Sequence, residues 1–287
     1  PLFIRYRADL LKDPVGTLKY GRKATLEAGG ENPCMAVTQS FDFVDPRQIG
    51  FDAAVSFPPH NIVSILEISK KLNLLNPAYH GKVFYYPELV DDQVRRIKEE
   101  PYRLFRTVFP SWDNEPRQPG KGFTFAHATP DLFKRWLFEV SKFTVAHSPE
   151  EERLVFINAW NEWGEGAHLE PDRRFGYAYL QAALDTVKAL AANQRSLDDG
   201  SEQVDVAIQP QGTSGFYSQK YLELDRGGNF LRGTLLQEKS SITTQNLSIS
   251  QLIEDCPTHT VHDPLVSVII PVYNHFDDTV KCLNSIF

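Results

Sequence analysis

The chain has 287 residues, a net charge of −7 and a hydrophobic fraction of 41%, enough for one large domain with a tail or for two domains. Its pI of about 5.6 and the lack of any basic cluster beyond the arginine pairs at 95–96 and 173–174 exclude the usual nucleic-acid-binding face and favour neutral or small anionic partners. The longest apolar runs, such as "LVSVII", fall far short of a bilayer span, so no transmembrane segment is seen. No signal peptide is visible either. The opening "PLFIRY" reads as a buried strand and a start inside a domain, which leaves segments upstream open. Three scattered cysteines, Cys34, Cys256 and Cys282, show no metal-ligand spacing and suit a reducing compartment.

In chain order, "LFIRY" (2–6) predicts a strand. "DPVGTLKYGRKATLEAGG" (13–30) predicts a helix capped by Asp13, with Pro14 at its first position and Gly29-Gly30 as its stop. "CMAVTQ" (34–39) and "FDAAVSF" (51–57) predict strands, and helical patterns cover 61–72 and 88–99. "FRTVFP" (105–110) is a further strand. The segment 129–147 is a helix with Thr129 as cap and Pro130 just inside it. "RLVFINAW" (153–160) is the last strand of this series and 176–192 the last helix. Strands alternating with helices predict parallel α/β architecture. Two arrangements fit the spacing. One is the C-terminal part of a (β/α)8 barrel, whose whole length is roughly 250 residues; the other is a doubly wound sheet. Residues 193–263 are polar and rich in Gly, Ser and Gln, and predict a linker. From 264, "PLVSVIIPVYNHFDDTVKCLNSIF" predicts one strand (265–270) and the start of a helix, the first βα unit of a further domain.

Chemistry-bearing residues gather after the C-terminal ends of the predicted strands, where parallel barrels build their sites. Gln39, Ser40 and Phe41 follow one strand, and "PPH", ending at His60, follows the next. "SWDN", with Trp112, Asp113 and Asn114, follows the third. "NEWGEGAHLEP" follows the last, with Asn161, Glu162, Trp163, Glu165, His168 and Glu170 just after Trp160. Arg5 and Tyr6 stand near the same mouth. Indoles beside carboxylates suit sugars: a ring's C–H face stacks on the indole while its hydroxyls meet the acids. Glu162 and Glu165 are three apart, and Gly164 and Gly166 favour a turn that brings them together. Two carboxyl groups so placed can cleave or form a glycosidic bond, one as acid and the other as base or nucleophile. A neighbouring indole disfavours the charged form of a carboxyl and suits it to the acid's part. Two other readings stay open. Trp160 and Trp163 could be core anchors of a solvated loop. Glu162, Glu165, His168 and Glu170 could offer a metal O and N ligands, although they lack a helical H-E-x-x-H register.

"FINAWNEWGEGAHLEPD", with "IGFDAAVSFPPH" and "FPSWDN", resembles the WbsX-type family of polysaccharide-biosynthesis proteins, itself similar to the glycoside hydrolase family 99 barrels. The resemblance covers about residues 1–190. It implies a (β/α)8 barrel in which Glu162 draws the proton from a sugar 2-hydroxyl and Glu165 is the general acid/base at the glycosidic oxygen. Gly164 stands where the hydrolases commonly carry His, so the resemblance leaves hydrolysis and transfer both open. "VSVIIPVYN" resembles the opening of a glycosyltransferase family 2 domain of the GT-A fold, which implies that Pro271, Tyr273 and Asn274 lie against a nucleotide-sugar donor. The D-x-D that holds Mg or Mn in such domains is not within these residues.

The expectation is therefore a carbohydrate-active protein of surface polysaccharide (O-antigen-like) biosynthesis, cytoplasmic or at the inner face of the membrane. Residues 1–192 form the barrel part, 193–263 the linker and 264–287 the start of the transferase domain. Glu162 and Glu165 are the catalytic pair. His60, Trp112, Asp113, Trp160, Asn161, Trp163, His168 and Glu170 contact the glycan acceptor or oligosaccharide. The barrel needs no cofactor; Mg or Mn belongs to the complete transferase domain. The alternatives are a non-catalytic glycan-binding barrel that positions acceptor and a metal-dependent hydrolase.

Overall fold

A computed structural model of the chain describes residues 1–40, 45–60, 62, 67–74, 76–198 and 267–269. The strands are β1 Leu2–Arg5, β2 Cys34–Gln39, β3 Ala53–Ser56, β4 Lys82–Tyr85, β5 Arg103–Val108, β6 Phe123–Ala126, β7 Leu154–Ile157, the short β8 Asn161–Glu162 and β9 Ala167–His168, and β10 Ser267–Ile269. The α-helices are α1 Pro14–Glu27, α2 Tyr86–Arg95, α3 Pro130–His147 and α4 Ala178–Asp198.

Six strands make one sheet in the order β1-β2-β3-β5-β7-β10, and every pair in it is parallel. This order decides between the two architectures left open by the sequence. A doubly wound sheet reverses its strand order at a switch point. Here the six strands of the sheet follow one another across it in chain order, with no reversal, the winding of a barrel. The described strands form part of such a sheet, with a second parallel pair, β4 and β6, beside it.

Local chemistry accounts for the helices. Asp13 accepts a hydrogen bond from the Gly16 amide at 2.8 Å, and Pro14 begins α1. Thr129 accepts from the Leu132 amide at 3.3 Å and caps α3. Each cap satisfies an amide that the first turn leaves without a partner. On one side of the sheet, Val108, Val155 and Ile157 share the largest apolar cluster with Leu89 and Val90 of α2, Phe133, Trp136 and Leu137 of α3 and Tyr179 and Leu180 of α4. A separate cluster joins Ala36, Ala53, Val55, Phe105 and Phe156. Burial on both faces explains why β3 and β7 read as continuous apolar runs.

Several expectations need correction. The strand at β1 forms, but three of its four residues are exposed, because it lies at the edge of the described sheet with one neighbour, β2. The helix expected over 61–72 is absent from the residues described there. Glu67 instead bridges Phe84 and Ser69–Lys71 is a single 3-10 turn. The sequence pattern predicts neither β4 nor β6; "KVFY" and "FTFA" are four-residue strands, too short to show a period. The polar stretch from 193 begins inside α4, which runs to Asp198; the rest of the expected linker lies outside the described residues. The strand expected at 265–270 is present over Ser267–Ile269 and pairs parallel with β7. Pro271, Tyr273 and Asn274 lie outside the described residues.

Candidate active site

Because the sheet is parallel, the loops after β2, β3, β5 and β7 all leave it at one end. The loop after β7 folds into a small hairpin. Asn161 and Glu162 pair antiparallel with His168 and Ala167, and the turn Trp163–Glu165 between them is 3-10. That turn brings Glu162 and Glu165 to the same side. Gly166 closes it with φ at 61°, in the left-handed region that glycine enters without strain. The hairpin rests on the loop after β5. The Asp113 amide donates to the Glu165 carbonyl at 2.7 Å, and the Ser111 hydroxyl donates to the Gly166 carbonyl. A Cβ at 166 would stand 2.9 Å from the Asp113 nitrogen, so glycine is also what lets the two loops touch.

Between the glutamates stands Arg117, which the sequence did not single out. Its Nη2 donates to Glu162 Oε2 at 2.6 Å and its Nη1 to Glu165 Oε1 at 2.9 Å. The two carboxyl groups are thus close enough for one guanidinium to bridge them. Burial pushes the Glu165 carboxyl above its ordinary value; Arg117 pulls it down, and Glu162 pushes it up again. Loss of water disfavours the ionised form of a carboxyl. No spacing rule points to Arg117, because it reaches the pair only through the folding of a loop 45 residues before Glu162. That loop is held by acceptors: Asn114 takes the Phe123 amide and Glu115 takes the amides of Gly120 and Gly122.

The other expected residues divide into two groups. Trp163 is 47% exposed. Its ring stacks on His168 at 3.8 Å between centroids, and its Nε1 donates to Glu170 at 2.6 Å. This leaves a braced indole at the edge of the carboxylate pair. His60 stacks on Phe57 and meets Trp112 edge to face, and Tyr6, just after β1, packs on Phe57 at 5.4 Å, so a row of rings crosses the strand ends. Burial lowers the basicity of both His60 and His168. Trp112 and Trp160, by contrast, are 1% and 0% exposed and are core anchors of the two loops; in this arrangement their rings offer no face to a sugar. Asp113 spends its carboxyl on folding its loop, accepting from the Glu115 amide and the Thr124 hydroxyl. Asn161 forms the hairpin's first rung.

The suggested metal set does not converge. Glu162 and Glu165 face Arg117, whereas Glu170 and His168 brace Trp163. Among the described residues no group of three or more His, Cys, Asp or Glu side chains is placed to hold a metal ion. No helix among them is long and apolar enough to cross a membrane.

A parallel, barrel-wound α/β domain with a paired-glutamate hairpin at the carboxyl ends of its strands is the class that fold and site define. Comparison with known proteins narrows it. The family described as Glycosyltransferase WbsX matches residues 1–183, and the chain belongs to that family. Two proteins of Xanthomonas campestris pv. campestris, from strains B100 and ATCC 33913, both named "Uncharacterized protein WxcX", are 44% identical over 182 residues. The matched segment is 63% of this chain and 26% of each relative, so the chain spans about a quarter of the length of these relatives. A solved structure described as a glycoside hydrolase-like protein aligns over 65% of this chain and 53% of its own length at 13% identity, with a TM-score of 0.42; a likeness that distant carries no argument.

Proposed function

We propose that this chain contributes a glycosidic-bond-processing module to a protein of surface polysaccharide biosynthesis, with Glu165 as general acid/base and Glu162 as the partnering base. The observation that carries this reading is the turn Trp163–Glu165, which sets two carboxyl groups on one side within reach of a single guanidinium. Burial favours the protonated form of Glu165, the form an acid needs at the leaving oxygen. The braced indole of Trp163 beside it is a stacking surface for a sugar ring. The glycan acceptor enters across the ring row of Tyr6, Phe57 and His60. The donor chemistry belongs to the whole protein: a nucleotide-sugar site at Pro271, Tyr273 and Asn274, served by Mg or Mn in a complete GT-A domain, in the cytoplasm where such donors are made.

The test is glycan binding and turnover by the full-length protein carrying Glu165→Gln. An acid/base role predicts retained binding and a fall in turnover of roughly 10²–10⁴-fold. Unchanged turnover, with binding also intact, would leave a glycan-binding barrel as the better reading.

A further inference from the structure

We propose that Arg117 is a positioning residue of the paired-glutamate site: lodged in the space that Gly164 leaves, it bridges and aligns Glu162 and Glu165 until a glycan takes its place. The inference rests on the function proposed above for its catalytic meaning, but its geometry is independent of it.

Three observations support it. The guanidinium bonds both carboxylates with different nitrogens, the fork geometry that distinguishes arginine from lysine. Its side chain is 51% exposed, while the glutamates are 23% and 22% exposed; the arginine can swing into solvent while the acids stay seated. A Cβ built at Gly164 would lie 2.7 Å from Arg117 Nε and within 3.5 Å of its Cγ and Cδ. Any side chain at 164 would therefore force the arginine side chain to shift from its present seat. Unlike the backbone contact at Gly166, this one is with a flexible side chain, so the hairpin itself need not move.

Burial is the largest influence on Glu165's charge, and among its neighbours Arg117 is the larger, ahead of Glu162. On its own loop, Asp113 is held by the Glu115 amide and Thr124, and Glu115 by two glycine amides. On the hairpin, Glu162 faces Glu165 across the guanidinium, Glu170 is engaged by the Trp163 indole, and His168 is stacked beneath that ring. Among the described ion pairs, Arg117 is the cation of both glutamates. A substrate that takes Arg117's place between the carboxylates removes the charge opposing protonation, so the acid form is generated where the glycan sits.

The experiment is a pH titration of the 287-residue chain labelled with ¹³C at glutamate carboxyls, with Glu165 assigned by the signal lost in Glu165→Gln. Arg117→Met is expected to move the Glu165 midpoint upward, and Arg117→Lys to restore part of the shift. Gly164→Ala, which keeps the arginine but blocks its seat, is expected to move the midpoint the same way, and the double variant Gly164→Ala/Arg117→Met to move it no further than Arg117→Met. If Arg117→Met does not fold, Gly164→Ala carries the test. A Glu165 midpoint that stays in place in the folded variants would overturn the proposal; a clamp that only ties two loops would change melting and nothing else. No substrate is needed, so the outcome is separate from the Glu165→Gln turnover test of the function itself.

Discussion

The β5–β7 part of the described sheet and its β1 edge differ in how they are built. At β5 and β7 the strands are sealed by α2, α3 and α4 through a continuous cluster that includes Trp136, Phe133, Leu137 and Trp160. At β1 the strand leaves Phe3 and Ile4 49% and 43% exposed, and the cluster beneath its neighbour is a small one of Ala8, Leu18, Val37 and Phe51. The carboxylate hairpin grows from the sealed part. A paired-acid site needs its two groups held to a fraction of an ångström, and rigid, packed elements give that better than a loosely covered edge.

The sharpest way to break this comparison is to hollow the sealed part. Trp136 is fully enclosed between α2 and Phe109, with its ring against Tyr86 and Phe109. Trp136→Ala should cost about 3–5 kcal/mol, the usual range for a buried aromatic deletion, read as a large fall in the denaturant midpoint. A loss below about 1 kcal/mol would mean that the α3 face is not the structural base of the site.

Gly166→Ala probes the joint between hairpin and loop. The residue must adopt a φ of 61°, which costs an L side chain roughly 1–2 kcal/mol, and its Cβ would also press on the Asp113 backbone. The expected outcome is a drop in stability of at least about 1 kcal/mol together with loss of activity in the full-length protein. A variant as stable and active as the parent would show that the two loops are not in contact.

Stability should also depend on pH. Burial holds His60, His127 and His168 below their ordinary value, so between that lowered value and the unfolded value of about 6.5 the unfolded chain binds more protons than the folded one. Stability then rises with pH and falls as pH drops through about 6.5 and below. Glu165 runs the other way, since its raised value favours proton uptake by the folded state as the pH falls into the carboxylate range. Urea midpoints measured from pH 7.5 down to 5.5 check the histidine effect; a flat or rising series would contradict it. The smallest effect belongs to the open edge. Phe3→Ser, at an exposed position of β1, should stay within about 0.5 kcal/mol, and a loss like that of Trp136→Ala would show that β1 is packed after all.

Much of the framework could be read from the residues because single local signals decide it. Asp13-Pro14 and Thr129-Pro130 mark helix starts by satisfying free amides, and "CMAVTQ" forms a strand over Cys34–Gln39. Strand order could not be read, because it depends on which neighbour each strand finds. The same holds within the motif: Trp160 and Trp163 are three residues apart and look alike, yet one is an anchor and the other a surface. The pairing of Glu162 with Glu165 followed from two glycines; the arginine between them did not, since it arrives from another loop.

In the function proposed above, Glu165 gives and takes the proton at the glycosidic oxygen while Glu162 acts at the sugar itself. The most direct measurement compares Glu165→Gln and Glu162→Gln, in the full-length protein, on substrates with poor and good leaving groups. A good leaving group needs little protonation, so Glu165→Gln should lose roughly 10²–10⁴-fold on the poor one and far less on the good one, whereas Glu162→Gln should be damaging on both. Equal losses for the two substrates in Glu165→Gln, or a harmless Glu162→Gln beside an inactivating Glu170→Gln, would contradict the assignment.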